Sequence, residues 1–580
     1  MNKPELKPRF AGILMGAVAL IAGTTIVAPF YLSRRESLPD GSSAAWRLIT
    51  THDLPHFVPI MEQFDKVLRS GVLYPRWNPD FNFGYGTATA NFYPPGTFYV
   101  ASLINAVVHD WVITLFIICA LSLGASGIAF YALSRTSYGK LSSAAAALFY
   151  MLLPFHQLDL YWRGAIPEFV GYAFMPVILY FALRLGSEGR LRHYAALGLF
   201  HGVYLMSHIP VAYLFTYVLA FYAVVWAMRD KDLRIALRIA GGMAISLLVS
   251  AIYWMPAALE GKHAYEWASE AFPYHYTYIS MAPTTDTFNR HIQEVFNYNA
   301  LALIAAVVIL LGLPKSTTLY SEQSCAPEER RIRLSESQTK IWIILGVLTP
   351  FMTTSFSIHI SKLIPKIQIT TPPFRWLAIS CLFTSLLVAA SIDLLRRHQG
   401  SNAKRQLAYK LSLGAVIVLN VWLTAHGIIS GALTNPTNVP PTTFVDGGFI
   451  PKDATLPDKL PNTAAVVISP AGGASEIIRW EPQDREIAVK TDVPSTVRLK
   501  TYNFPGWIAQ IDGQVATISS DNDGVQLIDV PPGIHTIRVS IGDTLPRKLG
   551  AALSVVALLV VLALIALDFL RSGRKYRNAE

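Results

Sequence analysis

The sequence predicts a polytopic α-helical membrane protein with about 12 transmembrane helices and a C-terminal extracytoplasmic β-sandwich domain. Hydrophobic residues make up 52% of the 580 residues and charged residues only 15%, far below the charged fraction of soluble proteins. Apolar runs long enough to span a bilayer recur along residues 1–430, and one more follows at residues 549–570. Between them, residues 434–543 alternate apolar and polar side chains in short segments.

The first apolar run, residues 10–32, fixes the expected topology. It follows a basic N-terminal segment, and no small-residue cleavage site precedes a plausible cut, so we interpret it as an uncleaved span with a cytoplasmic N-terminus. Residues 33–96 then form the first outer loop. Basic clusters after later apolar runs all fall on the cytoplasmic side under this threading, and both termini are cytoplasmic. These clusters account for the net charge of +10, so we expect no nucleic-acid partner.

Polar segments separate the later spans. We expect residues 257–297 to form an outer loop and residues 315–340 an inner loop. The apolar segment 98–108 is too short to span alone, and we expect it to lie at the membrane interface or to re-enter the membrane. No internal repeat typical of secondary transporters is visible in the sequence.

Residues 434–543 carry the turn signals of an antiparallel β domain. Asp-Gly pairs at residues 512–513 and 523–524 and a Pro-Gly pair at residues 532–533 separate segments in which apolar and polar residues alternate. No cysteine lies in this region. The predicted sandwich must therefore be stabilised by its apolar core and by the flanking helices.

Polar residues, most of them ionisable, collect at the outer ends of the predicted spans. The first outer loop supplies His52, Asp53, His56 and Arg76. Later loops add Asp159, Arg163, Glu168, His208, Gln368 and Arg375. Ionisable groups near membrane depth are costly and by default mark a functional site or a structural pair. Their distribution predicts a single cavity that opens to the outer face.

Such a cavity matches the transfer of a sugar from a lipid phosphate to a hydroxyl group. The reaction needs a carboxylate that accepts the hydroxyl proton, and Asp53 is our candidate for this catalytic base. It also needs cations that stabilise the departing phosphate, a role that Arg163 and Arg375 could fill. The substrate-binding residues that we expect on this face are His52, His56, Arg76, Arg163, Glu168, His208, Gln368 and Arg375.

Structural roles compete with several of these assignments. Asp53 stands just before a predicted helix start and is a good N-cap residue. Arg163 and Glu168 could neutralise one another at a membrane boundary. His208 could fill a break between two helices. Motifs of P-loop nucleotide hydrolysis, zinc proteases and α/β-hydrolases are absent from the sequence, so those reactions have no support.

Several short motifs together resemble a known family. They are GVLYPRW at residues 71–77, GYG at 84–86, FYPP at 92–95, LYWRGA at 160–165 and IPKIQ at 364–368. Their combination resembles the bacterial membrane family named 6-pyruvoyl-tetrahydropterin synthase-related. The segment FPGW at residues 504–507 looks like part of the outer domain of YfhO-like proteins. Both groups resemble the GT-C superfamily of multi-span glycosyltransferases.

The resemblance implies a GT-C-like helical domain that uses a polyprenyl-phosphate-linked sugar donor and a glycan or lipid acceptor of the cell envelope. It also implies contact with membrane lipids and a location in the bacterial cytoplasmic (inner) membrane. GT-C enzymes place a catalytic acid in the first outer loop, and Asp53 matches that position. Glu36 and Asp40 lie nearer the first span and are alternative bases. The pterin chemistry of the family name is not supported, because no zinc-binding histidine cluster is visible.

Cofactor and function class stay open in the sequence. His52 and His56 are spaced as two metal ligands on one helix face, but a third ligand is not apparent, so a role for Mg²⁺ or Mn²⁺ is undecided. A lipid-linked glycan transporter or flippase is the first alternative function, although its charges should lie midway along the spans rather than at their ends. A non-catalytic envelope-assembly scaffold that binds glycan through the β-sandwich is the second.

Overall fold

The computed structural model describes residues 8–28, 34–36, 45–48, 51–265, 278–279, 284, 286–313, 327–397, 403–432, 437–439, 449–460 and 463–577. Within them, the chain is largely helical up to residue 432, and antiparallel strands follow between residues 466 and 541. A final helix of 33 residues ends the described chain. The structure thus confirms the predicted class, a helical membrane protein with a C-terminal β domain.

The described helices are numbered in chain order. They are α1 (Pro8–Val27), α2 (Leu54–Arg69), α3 (Thr89–Phe92), α4 (Gly96–Val108), α5 (Trp111–Ser134), α6 (Lys140–Met151), α7 (Pro154–Gln157), α8 (Ile166–Glu188), α9 (Leu191–Leu205), α10 (Ile209–Asp230), α11 (Leu233–Val249), α12 (Ala251–Glu260), α13 (Thr287–Gly312), α14 (Pro327–Phe351), α15 (Ile358–Ser361), α16 (Trp376–Arg397), α17 (Ala403–Ala432) and α18 (Leu545–Arg577). A π-helical turn, Leu158–Arg163, follows α7 directly.

Eight segments of the described residues are long and apolar enough to cross a membrane, or nine if the bent pair of α11 and α12 forms one span. The apolar helix α4 and the part of α1 whose side chains are described, Met15–Val27, are too short to be counted among these segments, and α9 has only 15 residues. Helix length and composition therefore do not establish the expected number of about 12 spans, which stays a prediction.

Two expected loops prove to be partly helical. Helix α13 takes in residues 287–297 of the expected outer loop, and Asp286 caps it by accepting a hydrogen bond of 2.7 Å from Asn289 N. Helix α14 begins at Pro327, inside the expected inner loop 315–340. Hydropathy detects only the apolar part of a helix, whereas caps and helical periodicity continue beyond it. Both expected loops were therefore drawn too long.

Helix α16 lies at the centre of the helical domain. Most of its side chains are buried, and it packs against α6, α13 and α14. Helix α5 packs against α1 and α8, while α18 packs against α9 and α12. This packing gathers the loops that precede α2, α8, α10 and α16 at one end of the domain, where the candidate residues lie.

The C-terminal domain is a sandwich of two antiparallel sheets, as predicted. Its strands are β4 (Val466–Ser469), β5 (Ala474–Glu481), β6 (Asp484–Thr491), β7 (Ser495–Tyr502), β8 (Trp507–Ile511), β9 (Gln514–Ala516), β10 (Ser519–Ser520), β11 (Val525–Val530) and β12 (Gly533–Ile541). One sheet has the order β10-β11-β7-β4 and the other β5-β6-β12-β8-β9. Inward residues of both sheets, such as Val497 and Ile537, share one apolar core. Earlier strands β1 (Arg34–Glu36), β2 (Ala45–Leu48) and β3 (Thr437–Val439) form a separate sheet.

Aromatic residues join the β-sandwich to the first loop. The ring of Trp77 lies edge-on to that of Trp507, with centroids 5.5 Å apart. Tyr502 N donates a hydrogen bond of 2.9 Å to Tyr85 O. Trp77 and Tyr85 are fully buried. The sandwich therefore fixes the later part of this loop, and the helical domain holds the part just before α2.

Candidate functional site

The part of the first loop just before α2 is fastened to the turn between α7 and α8. His52 N donates a hydrogen bond of 3.2 Å to Trp162 O, and Asp53 N donates one of 2.6 Å to Arg163 O. The accepting residues belong to the π-helical turn, a rare conformation that is frequent at functional sites. Two segments that are distant in the sequence are thus joined backbone to backbone.

Gly164 permits this contact. Its φ of +66° lies in the left-handed region, which disfavours residues with a Cβ. A Cβ at this position would lie 2.5 Å from Thr51 Oγ1 and 2.7 Å from Leu54 Cβ, well inside van der Waals contact. Both the backbone conformation and the close approach therefore require glycine. Helix α8 then begins two residues later, with Pro167 in its first turn.

Arg163 is the buried centre of the site. Its Nη1 donates to Asp159 and, at 2.8 Å, to Glu168 Oε2. The Arg163 side chain is 4% exposed, and those of Asp159 and Glu168 are 0% and 1% exposed. Tyr172 donates its hydroxyl proton to the second Asp159 oxygen, and the ring of Phe374 lies 5.0 Å from the guanidinium carbon. The guanidinium is therefore held in one orientation.

Glu168 joins two further loops to this centre. Its Oε2 lies 3.2 Å from Arg375 Nε and 3.8 Å from His208 Nε2. Arg375 Nη1 donates to Thr371 O, so Nη2 is the Arg375 nitrogen without a hydrogen-bond partner among the described residues. The structure thus brings four sequence candidates, Arg163, Glu168, His208 and Arg375, into one cluster. Glu168 pairs with both arginines.

Asp53 differs from the other carboxylates of the cluster because it is accessible. It occupies the N-cap position of α2, but its side chain makes no capping hydrogen bond. Thr51 Oγ1 instead accepts a hydrogen bond of 3.3 Å from Leu54 N. Asp53 Oδ2 lies 3.6 Å from Arg163 Nη2, and the Asp53 side chain is 36% exposed. The Asp53 carboxylate therefore does not cap the helix, and its exposed position beside Arg163 indicates a different role.

The cluster contains one more carboxylate than guanidinium group. Asp53, Asp159 and Glu168 lie around Arg163 and Arg375. Asp159 and Glu168 are buried and bonded to guanidinium groups, whereas Asp53 contacts Arg163 at a longer distance and is partly open to solvent. An accessible carboxylate that a fixed cation orients can accept a proton from a bound hydroxyl group.

The other candidates of this end of the domain lie at the surface. His52 stacks on Phe288, with ring centroids 4.3 Å apart, and His56 N donates to Asp53 O at 3.0 Å. Both histidine side chains are exposed, and they flank Asp53. Gln368 is also exposed. Within the described residues, its side chain makes no contact with the cluster.

Arg76 lies in a separate network. Its Nη1 donates to Asn91 Oδ1 at 2.9 Å, and its Nη2 donates to Ile252 O at 3.3 Å. Asn91 donates in turn to Glu260 Oε2 at 2.9 Å, and this oxygen also accepts a 2.9 Å bond from Arg547. Burial lowers the pKa of Arg76 below its usual range. The network ties the first loop to α12 and α18, away from Asp53.

Two members of the cluster, Tyr172 and Phe374, were not among the sequence candidates. Tyr172 follows Glu168 by four residues, so the helical period places both on one face of α8, and this signal was available. Phe374 reaches Arg163 only through the tertiary fold. Of the two alternative bases, Glu36 ends strand β1, and Asp40 lies outside the described residues.

The described residues do not fit a metal site. They contain no group of three or more His, Cys, Asp or Glu side chains that could hold an ion. Asp159 and Glu168 direct their oxygens at Arg163, whose positive charge disfavours a nearby cation. We therefore assign no step of a reaction to Mg²⁺ or Mn²⁺.

Comparison with protein families shows where this chain belongs. A family model described as the 6-pyruvoyl-tetrahydropterin synthase related domain, a membrane protein, matches residues 90–431, which is more than half of the chain. The curated proteins contain no match to this sequence.

A comparison with solved structures finds partial similarity to three proteins. The arabinofuranosyltransferase AftD from Mycobacteria has a TM-score of 0.44 at 15% identity, and the similarity covers 73% of this chain and 27% of that chain. The oligosaccharyltransferase from Archaeoglobus fulgidus has a TM-score of 0.35 at 13% identity, covering 73% and 54%. ArnT from Cupriavidus metallidurans has a TM-score of 0.29 at 12% identity, covering 66% and 77%. The chain therefore spans only part of the length of the first two.

Proposed function

The chain belongs to the 6-pyruvoyl-tetrahydropterin synthase-related family of membrane proteins, and we propose that it is a GT-C-type glycosyltransferase. It transfers a sugar from a polyprenyl-phosphate-linked donor to a hydroxyl group of a cell-envelope glycan or lipid. Transfer takes place at the outer face of the bacterial cytoplasmic membrane. The helical domain of residues 1–430 carries the reaction, with the β-sandwich of residues 434–543 outside the membrane and residues 549–570 as the last span.

The accessible Asp53 carboxylate, 3.6 Å from the buried Arg163 guanidinium, is the observation that carries the proposal. Sugar transfer needs a base that is open to the acceptor yet held in a defined orientation. Asp159 and Glu168 fix Arg163 from within the protein. Arg163 in turn orients Asp53, so it acts as a positioning residue.

Asp53 accepts the proton of the acceptor hydroxyl in this reaction. The acceptor oxygen forms a bond to the anomeric carbon of the donor sugar, while the bond from that carbon to the phosphate oxygen breaks. The phosphate oxygen keeps the electron pair, and polyprenyl phosphate leaves as an anion. The proton rests on Asp53 until product release returns it to solvent, so atoms and charges balance.

Arg375 is the residue that we assign to the departing phosphate. Its side chain is 15% exposed, and its Nη2 has no hydrogen-bond partner among the described residues. Glu168 and Thr371 hold its other nitrogens. A guanidinium fixed in this way can donate to a phosphate oxygen as negative charge develops there. Arg163 is too deeply buried to contact the phosphate directly.

The remaining polar residues take supporting roles in the proposal. His52 and His56 flank Asp53 at the surface and are placed to contact the acceptor. His208 lies 3.8 Å from Glu168 and helps to position it. Arg76 acts through its network by holding the first loop in place, whereas Gln368 is exposed at the edge of the loop that carries Arg375.

A transfer assay with purified protein in lipid nanodiscs tests the proposal. Radiolabelled polyprenyl-phosphate sugars are the donors, and a panel of cell-envelope glycans and glycolipids supplies the acceptors. We expect the wild type to move label from lipid to acceptor. The absence of transfer with every donor and acceptor, together with movement of the labelled lipid between the leaflets of proteoliposomes that contain the protein, would instead establish the flippase function.

A further inference from the structure

A cleft that is open to solvent lies beside the proposed site. Its walls come from α7 and the π-helical turn, from the first turns of α13 and from the later part of α17. The side chains on which the argument rests are Gln157, Trp162, His291 and Glu294. Leu158 and Trp162 line the cleft, whereas Asp159 and Arg163, each one position further along the same turn, belong to the charge cluster.

Gln157 is the residue that marks this cleft as a binding site. Gln157 is one of the residues that line the cleft and is 1% exposed. Neither its Oε1 nor its Nε2 has a hydrogen-bond partner within the described part of the chain. Buried polar groups are almost always hydrogen-bonded, because leaving one unpaired destabilises the fold. A carboxamide offers one acceptor and two donors. It is therefore suited to a ligand that presents donors and acceptors side by side.

Aromatic and charged groups narrow the class of ligand. The centroids of the Trp162 and His291 rings lie 4.1 Å apart, and His291 Nδ1 lies 3.2 Å from Glu294 Oε2. Among the described residues, the lining of the cleft includes a carboxylate and no arginine or lysine, so an anionic ligand is disfavoured. An indole presents an apolar face beside a polar group, which matches the apolar C–H face and the hydroxyl rim of a sugar ring.

We propose that this cleft binds an uncharged sugar ring through Gln157 and Trp162. The inference rests on the proposed function, in which this sugar is part of the acceptor. Trp162 and Arg163 are consecutive, and their carbonyl groups accept the hydrogen bonds from His52 N and Asp53 N. One short turn therefore carries a wall of the cleft and also fixes the base. A sugar in the cleft lies next to the loop that must receive its hydroxyl proton.

Direct binding to the full-length protein in nanodiscs tests the proposal without any transfer step. The probes are a glucosyl diacylglycerol, measured by its retention in native mass spectrometry, and radiolabelled maltose, measured by equilibrium binding. We expect the wild type to bind at least one probe and Gln157→Leu to weaken that binding about tenfold or more, since a single well-formed hydrogen bond to a buried group has an effect of this order. Binding of the lipid probe assigns a glycolipid acceptor, and binding of maltose assigns a soluble glycan.

A matched variant controls for general effects on packing. Gln338 of α14 is also buried, and its Nε2 is unpartnered within the described part of the chain, but it does not line the cleft. Gln338→Leu should bind the probes as the wild type does. Glu294→Gln is a second test of the cleft; because its side chain is 51% exposed, this variant should fold normally and bind more weakly.

The outcomes separate the two proposals. The sugar site would be overturned if Gln157→Leu and Glu294→Gln bind the probes as the wild type does, or if Gln338→Leu loses as much probe binding as Gln157→Leu. Neither outcome would affect the conclusion about sugar transfer by the wild type. If the wild type uses no donor but Gln157→Leu and Glu294→Gln still lose probe binding, the result supports the sugar site and contradicts the proposed transfer reaction. Replacement of the unpaired amide of Gln157 by an apolar side chain should leave the unfolding temperature unchanged or higher.

Discussion

The Asp53 carboxylate lies 3.6 Å from the Arg163 guanidinium, and the backbones of the same two residues share a 2.6 Å hydrogen bond from Asp53 N to Arg163 O. The two residues are therefore linked twice, once through side chains and once through the backbone. The backbone bond sets where Asp53 stands, and the guanidinium sets where its carboxylate points. Any change that separates the first loop from the π-helical turn should lower the rate of sugar transfer, as a loss of Asp53 would.

Asp53→Asn should lower the rate of sugar transfer about 10²–10⁴-fold, the usual contribution of general acid–base catalysis. The amide cannot accept the hydroxyl proton, but it fills the same space. Since the Asp53 side chain makes no capping hydrogen bond, thermal unfolding should change little. Transfer rates and unfolding temperatures of the purified variant check both parts.

Asp110 provides the matched control for Asp53. It also precedes a helix, and its carboxylate does cap, accepting a 2.9 Å hydrogen bond from Ile113 N. Asp110→Ala should lose about 0.5–2 kcal/mol of stability, as cap removal generally does, and keep its transfer rate. An Asp53→Asn variant that transfers sugar at the wild-type rate would remove this residue as the base.

Gly164→Ala should displace the first loop and abolish most transfer activity. The new Cβ would meet Thr51 Oγ1 at 2.5 Å and Leu54 Cβ at 2.7 Å. Gly71→Ala is the control, because Gly71 also has a positive φ, of +94°, but nothing lies within 4 Å of its added Cβ. Both variants share the cost of backbone strain. Gly164→Ala should be less stable than Gly71→Ala by about 1–3 kcal/mol, the usual cost of overpacking.

Protease protection of the first loop separates a displaced loop from a misfolded protein. Limited digestion of Gly164→Ala should cut near residues 51–56 while the β-sandwich resists. Equal stability and equal activity of the two alanine variants would show that the close approach of Gly164 to Thr51 and Leu54 is not needed for function.

The sequence was sufficient for the fold class because apolar run length and strand alternation reflect burial in the bilayer and in the sandwich, whatever the partners are. It singled out most residues of the candidate cluster for the same reason, since ionisable groups stand out against apolar runs. The pairing of Arg163 with Glu168 was one of the structural alternatives that the sequence offered, and the structure shows it. The sequence did not reveal that Asp159 also contacts Arg163, or that Arg76 belongs to another network. Those relations depend on which loops meet, and a linear pattern does not contain that information.

Helix boundaries show the same limit on a smaller scale. Residues 287–297 are polar enough to suggest a loop, yet Asp286 caps a helix there. The helix buries Ile292 and Val295, which are three residues apart and lie on one face. That periodicity was visible in the sequence but lay outside the apolar run on which the span was drawn.

Glu168→Gln should destabilise the helical domain strongly. Glu168 Oε2 lies 2.8 Å from Arg163 and 3.2 Å from Arg375, and its loss leaves two guanidinium groups with fewer partners. Breaking a buried ion pair by removing one partner costs about 3–5 kcal/mol. Asp484→Asn, which disturbs an exposed pair with Arg538, should cost less than about 1 kcal/mol. Similar unfolding temperatures for the two variants would contradict the assignment of Glu168 as the central partner.

Arg76→Lys should lower stability more than it lowers substrate affinity. Lysine keeps the charge but has no planar fork with which to bond both Asn91 Oδ1 and Ile252 O. The expected cost is about 1–3 kcal/mol, the penalty for leaving buried polar groups unpaired. Arg234→Lys, at a side chain that is 80% exposed, is the neutral control. A raised KM with an unchanged unfolding temperature would instead place Arg76 in contact with substrate.

The exposed pair of Asp512 and His535 should make the β-sandwich more stable below neutral pH than above it. The hydrogen bond from the ring to Asp512 Oδ2, at 2.7 Å, raises the pKa of His535 above its ordinary 6.5. The Thr536 N–H and this same ring lower the pKa of Asp512 below its ordinary 3.8. The pair therefore contributes fully between these two ordinary values. Its contribution is lost as the pH rises through the raised His535 pKa, and also as the pH falls through the lowered Asp512 pKa.

Asp512→Asn should remove this pH dependence. In the full-length protein, the His535 ring, followed by NMR with labelled histidine, should titrate closer to 6.5 in the variant than in the wild type. The unfolding temperature of the sandwich, compared between mildly acidic and alkaline solution, should change less with pH in the variant, because the charged partner of the imidazolium is gone. Identical titration of His535 in both proteins would show that the pair does not form in solution.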